Sequence, residues 1–245
     1  RIKILVKALG AAEFARLVEE EWAHLKDGPA TLTEAEVERI ARHFTAPPYA
    51  TLADDDFDFA NHRQQDKAFT RWVERNVHGH KVSGYAAITV SLKAYDHATG
   101  NITAEQMELV ADLADRYSFG EARVSHEQNL ILADVAKRDL HALWQELRAN
   151  GLATPTVGLL TDIICCPGGD LCSLANAKST PIAMAIQERL GDLDYLHDIG
   201  EVSLNISGCM NACGHHHVGN IGILGVDKRG EEWYQVSIGG CQGNH

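Results

Sequence analysis

All six cysteines lie in the C-terminal part of this 245-residue chain, and five of them fall into two motifs. The first motif, CCPGGDLC, runs from Cys165 to Cys172, and the second, GCMNACG, contains Cys209 and Cys213. Disulfide frameworks of small secreted domains spread their cysteines along a short chain, whereas clustered thiols are typical of metal or cluster sites in a reducing compartment. The cysteines therefore predict a metal–sulfur site and a cytoplasmic location.

Four of these thiols have a spacing that suits one site. Five residues separate Cys166 from Cys172, and two of the five are glycines, which let backbone approach a bulky inorganic group. Three residues separate Cys209 from Cys213, so that on a helical turn the two would share one face. Four thiolates suit Zn or an iron–sulfur cluster, and the wide first gap favours the cluster. A Zn site and buried free thiols are the alternatives. Amides of the glycine-rich loops are expected to donate hydrogen bonds to the sulfurs.

Both motifs follow predicted strands, which would present them as loops at the end of a sheet. GLLTDIICC leads into the first motif and EVSLNISG leads into the second. NAKSTPIAMAIQERLG has the pattern of a helix, and VGNIGILGV and EWYQVSIGG have the pattern of two further strands around the turn DKRG. Residues 151–245 are therefore predicted to form an α+β domain with a mixed sheet, and loops at strand ends are a usual place for a ligand.

Residues 81–150 show the order strand, helix, strand, strand, helix, which predicts a ferredoxin-like half-domain. The stretch AAITVSLK alternates apolar and polar residues and predicts a half-buried strand with Lys93 on its polar face. Thr103 and Gln106 have the spacing of a capping box at the start of the helix. Between the last two strands lies a polar patch, which is either a hydrogen-bonded turn or a contact with an anion. This polar patch consists of Arg123, His126, Gln128 and Asn129.

Residues 1–80 are predicted to be a helical linker segment. Apolar residues recur at helical spacing through the first part, and Thr33 with Glu36 forms another capping-box signature. Residues 46–80 contain acidic and polar runs, which predict a connector with one short helix near AFTRWVERN and no part in a core. The whole chain is therefore predicted to be α+β, with boundaries at residues 80 and 150.

The composition disfavours two classes of partner. The net charge is −12 and no basic patch is wide enough to follow phosphates, which argues against nucleic acid. No apolar run approaches the ~18 residues of a membrane span, which argues against a membrane. The sequence begins without Met and stops at the glycine-rich GGCQGNH, so we expect it to be a piece of a longer protein.

The two cysteine motifs resemble those of a known family. C-x5-C followed by G-C-x-N-x-C-G is similar to the motifs of the sulfite and nitrite reductases that carry sirohaem and a [4Fe–4S] cluster. HKVSGYAAITVSLK, RVSHEQNLILADV, CCPGGDLCSLANAKSTPIA and LNISGCMNACGHHHVGNIGI resemble the second half of the assimilatory sulfite reductase haemoprotein branch. The resemblance covers roughly residues 81–245 and implies that branch's fold.

The resemblance also implies roles for individual residues. Asn211 and Arg123 would contact the sirohaem macrocycle, and Cys213 would be the axial ligand that bridges the cluster to the sirohaem iron. Cys165 matches no ligand position and is expected to pack in the interior, and Cys241 is also expected to be structural. The cluster ligands would be Cys166, Cys172, Cys209 and Cys213. The adjacent His215, His216 and His217 are expected to pack near the haem edge, because three consecutive side chains do not converge easily on one ion.

The function that this resemblance implies is the six-electron reduction of sulfite to sulfide, with electrons from ferredoxin or a flavoprotein reductase. The alternatives are a ferredoxin-dependent nitrite reductase of the same family, its relative in the cobalamin pathway, and a non-catalytic Fe–S or Zn module. Sirohaem and sulfite are anionic, yet few Lys or Arg residues lie near the motifs. The basic residues are therefore expected from a missing N-terminal half of the same protein, and the isolated chain is expected to be inactive.

Overall fold

The computed structural model describes residues 2–95 and 97–241, and the chain divides into two units, Arg1–Pro48 and Tyr49–His245. The first is called the helical unit here, and the second the α+β unit. The helical unit contains α1 (Ile2–Leu9), α2 (Ala11–Leu25) and α3 (Glu34–Ala41), followed by a 3-10 turn at Arg42–Phe44. The Thr33 side chain accepts a hydrogen bond from the Glu36 amide at 3.2 Å, which confirms the predicted start of α3.

The α+β unit begins with two helices where the sequence predicts a connector. They are α4 (Phe57–Gln65) and α5 (Lys67–Asn76), and the side chains of Asp56 and Asp66 cap their first turns. Phe69 and Trp72 of α5 are completely buried in the core of the first half of this unit. The prediction that residues 46–80 take no part in a core was wrong, because the polar residues around α5 conceal a strongly amphipathic helix.

The first half of the α+β unit is an antiparallel sheet with helices packed on it. Its strands lie in the order β1-β2-β4-β3, and α5, α6 and α7 share one core with them. The elements are β1 (Val77–Gly79), β2 (Tyr85–Val90), α6 (Ala104–Tyr117), β3 (Arg123–Val124), β4 (Leu130–Ala136) and α7 (Leu140–Ala149). The predicted order of elements is confirmed, and so is the capping box in which Thr103 and Gln106 each bond the other's amide.

The alternating stretch that forms β2 and the three residues after it is buried on its polar side, which corrects the prediction of a half-buried strand. Thr89 in β2, and Ser91 and Lys93 after it, are 7%, 1% and 0% exposed. The alternating pattern misled because this polar face is covered by the rest of the α+β unit. The Lys93 ammonium group donates a hydrogen bond to the Ile163 carbonyl at 2.8 Å, within the segment that leads into the first cysteine motif.

The second half is a mixed sheet in the order β5-β6-β7-β8, as predicted. Its elements are β5 (Ile164–Cys165), α8 (Thr180–Arg189), α9 (Leu193–Ile199), β6 (Leu204–Ser207), β7 (Ile221–Lys228) and β8 (Glu231–Ile238). Strands β5, β6 and β7 are parallel, and β8 is antiparallel to β7. Because β5 and β6 are parallel neighbours, their carboxyl ends meet at one edge of the sheet, where each of the two cysteine motifs begins.

Candidate functional site

The two cysteine motifs form one structure, although they lie far apart in the sequence. The Gly208 amide donates a hydrogen bond to the Cys166 sulfur at 3.0 Å, which confirms the expected amide-to-sulfur contact. In return, the Gly208 carbonyl accepts hydrogen bonds from the amides of Asn176 and Ala177 at 2.8 and 3.1 Å. Each loop therefore provides hydrogen-bond partners for backbone groups of the other loop, and the Cys166 sulfur lies where the two loops meet.

The glycines of these loops allow backbone to approach backbone. A Cβ on Gly208 would lie 2.8 Å from the Gly168 Cα and 2.7 Å from the Ala177 carbonyl oxygen. Gly168 has a positive φ of 62°, and a Cβ there would lie 2.5 Å from the Ser179 amide nitrogen. The sequence predicts that glycines let backbone approach an inorganic group. At Gly168 and Gly208 the glycines instead let two segments of the protein backbone approach each other.

The second motif is a series of turns and not a helix. Ala212 has a positive φ of 56°, which ends any helical turn between Cys209 and Cys213. The predicted shared helical face was therefore wrong. Cys209 is 8% exposed, whereas Cys213 is exposed at the surface of the loop. The two cysteines of the second motif therefore differ in their access to solvent. Asn211, between them, is half-buried.

Cys165 has surroundings that keep its thiol neutral. Burial, and then the negative charge of the neighbouring Cys166, raise the pKa of Cys165 to about 12, with Lys93 opposing the rise. The Cys165 thiol donates to the Cys166 carbonyl at 3.2 Å. A thiol that stays protonated is a poor metal ligand, which supports the expectation that Cys165 is structural.

A cavity of about 500 Å³ opens beside Cys213. Its lining includes His215, two residues along the chain from Cys213. Folding brings Asn205 and, from the polar patch, His126 and Gln128 to the same cavity. Arg123 is not among the described residues around this cavity. It is an exposed side chain that pairs with Glu121.

Two members of the polar patch bond the segment that leads into the first motif. The Gln128 amide bonds both backbone groups of Cys165, at 2.8 and 2.9 Å. The Asn129 amide donates to the Asp162 carboxylate at 3.0 Å. Their bonding fits the hydrogen-bonded-turn interpretation of the patch, but nothing in the sequence pattern pairs Gln128 with Cys165.

Lys93 and Asp162 are two buried ionisable residues behind this segment, and the sequence pattern does not reveal their burial. Burial lowers the pKa of Lys93 to about 8, and the nearby carboxylates of Asp162 and Glu127 oppose that shift. Burial raises the pKa of Asp162, against the charge of Lys93 and hydrogen bonds from Gly158 and Asn129. Both groups are thus held closer to neutrality than in water, as expected for charges removed from solvent.

The donor set fits an iron–sulfur cluster, although it does not form a compact ion site. Among the residues that the structure describes, no group of three or more His, Cys, Asp or Glu side chains is arranged around one metal ion. Cys165, Cys166, Cys172, Cys209 and Cys213 form no disulfide with one another. Four of them lie on two loops in backbone contact, and one sulfur already accepts an amide hydrogen bond of the kind that tunes cluster potentials.

The comparisons with known proteins identify both halves of the α+β unit. Residues 78–150 match the nitrite/sulfite reductase ferredoxin-like half domain, and residues 158–245 match the nitrite and sulphite reductase 4Fe-4S domain. Together the two matches cover well over half of the chain. The chain belongs to the nitrite and sulfite reductase family. This confirms the α+β fold class and the family resemblance of the cysteine motifs.

The individual relatives include both kinds of reductase. A chloroplastic ferredoxin–nitrite reductase of Arabidopsis thaliana is 29% identical over 69% of this chain and 28% of its own length. A sulfite reductase [ferredoxin] 1 of Mycolicibacterium paratuberculosis is 25% identical over 99% of this chain and 38% of its own. This chain therefore spans about a third of the length of such relatives.

One solved structure has the same fold. The structure of the Mycobacterium tuberculosis NirA protein matches 98% of this chain and 39% of its own, with a TM-score of 0.55 and 24% identity. Within the described residues, no helix is both long and apolar enough to cross a membrane.

Proposed function

We propose that this chain is the C-terminal part of an assimilatory sulfite reductase that reduces sulfite to sulfide with six electrons. The observation that carries the proposal is the junction of the two cysteine loops, where the Gly208 amide bonds the Cys166 sulfur. In a chain of this family, that junction supports a cluster shared between the two loops and not two separate sites.

The proposed ligands of the [4Fe–4S] cluster are Cys166, Cys172, Cys209 and Cys213. Cys213 would also help to hold the sirohaem, a role that its exposure beside the cavity supports. When bound, the two cofactors would supply electrons one at a time for the reduction of the substrate. This chain contributes the thiolates, the amide donor at Gly208 and one wall of the cavity. Asn211 keeps its proposed contact with the macrocycle, whereas the pairing of Arg123 with Glu121 gives that residue's proposed contact no support.

We propose sulfite as the substrate, and the share of this chain that each relative matches supports the proposal. The sulfite reductase of M. paratuberculosis aligns with 99% of the chain, including the helical unit, whereas the A. thaliana nitrite reductase aligns with 69%. Nitrite is the second candidate, since the nitrite reductases are at least as similar in identity, at 29% against 25%. The names of both relatives include ferredoxin, which supports ferredoxin as the electron donor over a flavoprotein reductase.

The test is anaerobic reconstitution of the full-length protein with iron, sulfide and sirohaem. We expect iron and sulfide in cluster stoichiometry, no zinc, and a haem absorption spectrum that changes in Cys213→Ser. Rates with sulfite and with nitrite, compared as kcat/KM, then decide the substrate. A zinc-loaded protein without sulfide would leave a non-catalytic module as the better explanation, and an unchanged haem spectrum in Cys213→Ser would refute the bridge.

A further inference from the structure

We propose that Gln128 is a positioning residue, whose amide fixes the Cys165 backbone and so sets where Cys166 presents its sulfur. The inference rests on the proposed function, because it concerns the cluster that Cys166 would help to hold. Gln128 belongs to the ferredoxin-like half, whereas Cys165 and Cys166 begin the first cysteine loop of the other half. A side chain of one half thereby controls the geometry of a ligand in the other.

The Gln128 side chain bonds the backbone of Cys165 in the way that the backbone of a neighbouring strand would. The Gln128 side chain donates from Nε2 to the Cys165 carbonyl at 2.9 Å and accepts at Oε1 from the Cys165 amide at 2.8 Å. On its other side, β5 pairs with β6, and the Cys166 amide donates to the Ile206 carbonyl at 3.1 Å. Backbone groups on both sides of the Cys165–Cys166 segment are thus bonded, so the segment has little freedom to shift.

Gln128 holds this position in a backbone conformation that glutamine seldom adopts. Its φ is 61°, within the left-handed region that Gly and Asn enter more easily. The conformation is fixed by a tight turn, in which the Gln128 amide donates to the Ser125 carbonyl at 3.2 Å and the Ser125 amide to the Asn129 carbonyl at 2.9 Å. An observed outlier of this kind points to a functional constraint on the residue that occupies it.

The residues beside Gln128 restrain the same segment from behind. Asn129 bonds Asp162, and Lys93 and Thr99 both donate to the Ile163 carbonyl, at 2.8 and 2.9 Å. Gln128 differs from these restraints because it acts at the residue adjacent to Cys166. It also lines the cavity that Cys213 faces, so it lies close to both cysteine loops.

The experiment distinguishes the effect of the Gln128 side-chain hydrogen bonds from the effect of the left-handed backbone at that residue. Gln128→Asn keeps an amide and suits the left-handed backbone, but it is one methylene too short to bond Cys165 in the same way. Gln128→Gly relaxes the backbone and removes the amide. Gln128→Glu keeps the acceptor for the Cys165 amide and loses the donor to its carbonyl. The matched control is Gln106→Asn, which also shortens an amide that bonds backbone in both directions: Gln106 donates to the Asn150 carbonyl at 2.8 Å and accepts from the Thr103 amide at 3.1 Å in the capping box of α6.

We expect Gln128→Asn and Gln128→Gly to fold, to lose cluster iron in air several-fold faster than wild type, and to show a shifted midpoint potential in an EPR-monitored titration. Gln128→Glu should lie between them and wild type, and Gln106→Asn should match wild type. In the cluster-free protein, the Cys165 amide should exchange its hydrogen about tenfold faster in Gln128→Asn.

The outcomes also separate the two proposals. If wild type takes up no iron and sulfide, the proposed function fails and this inference fails with it. If wild type loads normally and Gln128→Asn has the same potential, retention and exchange rate, only the inference is overturned.

Discussion

Cys165 and Cys166 are neighbours in the chain and yet have different surroundings. Cys165 is 4% exposed and its pKa is raised to about 12, whereas Cys166 is half-buried and its sulfur accepts an amide hydrogen bond. Burial disfavours a thiolate at Cys165, whereas the Cys166 sulfur lies where the amide of the other cysteine loop reaches it. The two residues are of the same type, so their different expected roles follow from their burial and hydrogen bonds.

This difference predicts opposite results for two adjacent substitutions. Cys166→Ala should abolish binding of a four-iron cluster, because it removes a ligand at the junction of the loops. Cys165→Ala should keep the cluster and cost only about 1 kcal/mol of unfolding free energy, the loss expected for a small buried group. Iron and sulfide analysis with urea unfolding measures both effects. Equal loss of iron in the two variants would show that Cys165 is also a ligand.

Lys93 gives a prediction for the dependence of stability on pH. Its pKa is lowered from 10.5 to about 8 by burial, so between these two pH values the unfolded lysine keeps a proton that the folded lysine has released. The unfolded state then binds more protons, and stability rises with pH across this interval. The rise attributable to Lys93 is about 3 kcal/mol, and the corresponding penalty is fully present below pH ~8.

Comparison with Lys93→Met isolates this contribution, because the other titrating groups are common to both proteins. Urea unfolding from about pH 8 to pH 10.5 should give a smaller rise of unfolding free energy with pH in the variant than in wild type. Parallel curves for the two proteins would mean that Lys93 titrates normally in the folded state.

At the scale of elements, the parallel pairing of β5 with β6 brings the cysteine loops together. Each loop begins where its strand ends, and Gly208 lies directly after β6. The loops then meet so closely that a side chain on Gly208 has no room, since its Cβ would lie within 3 Å of Gly168 and Ala177. The site therefore depends on backbone fit as much as on the thiols.

Gly208→Ala should separate the loops. We expect the substitution to lower the unfolding free energy by about 1–3 kcal/mol, as for other overpacked sites, and to impair cluster retention. Gly79→Ala is the matched control, because a Cβ on Gly79 meets no atom within 4 Å. Thermal unfolding and iron retention measure the two effects, and equal behaviour of both variants would contradict the role given to this contact.

Much of this arrangement could be predicted from local sequence. The capping box of Thr103 and Gln106 marks the start of α6, and the strands before both cysteine motifs follow from their apolar patterns. Contacts between distant segments could not be predicted in this way. Trp72 lies in a polar stretch and Lys93 on the polar side of an alternating pattern that is normally exposed, yet both are buried. The hydrogen-bond partner of Gln128, Cys165, lies 37 residues away in the sequence.

At the scale of the whole molecule, this chain supplies thiolates but little positive charge. Its net charge is −12, and none of the described residues around the Cys213 cavity is Lys or Arg. Sulfite and the carboxylates of sirohaem need cationic partners. The chain matches only 28% and 38% of the length of the two relatives, and the proposed source of those partners is the part of the full-length protein outside it.

The isolated 245-residue chain should therefore lack sulfite reductase activity even when it holds a cluster. The measurement is sulfide formation with a chemical reductant, using the reconstituted chain and the full-length protein side by side. Full-length protein should be active under the same conditions. Turnover by the isolated chain at a comparable rate would mean that its own residues suffice to bind the anions.

The parallel pairing of β5 and β6 also bears on the order of events during biogenesis. A hairpin cannot join parallel strands, so the two loops meet only after the crossover containing α8 and α9 has folded. In a zinc finger the metal and a short local segment fold together. Here the two cysteine loops lie far apart in the sequence, so we expect them to meet late in folding. Cluster delivery is therefore expected to follow folding, with a nearly native protein as the acceptor.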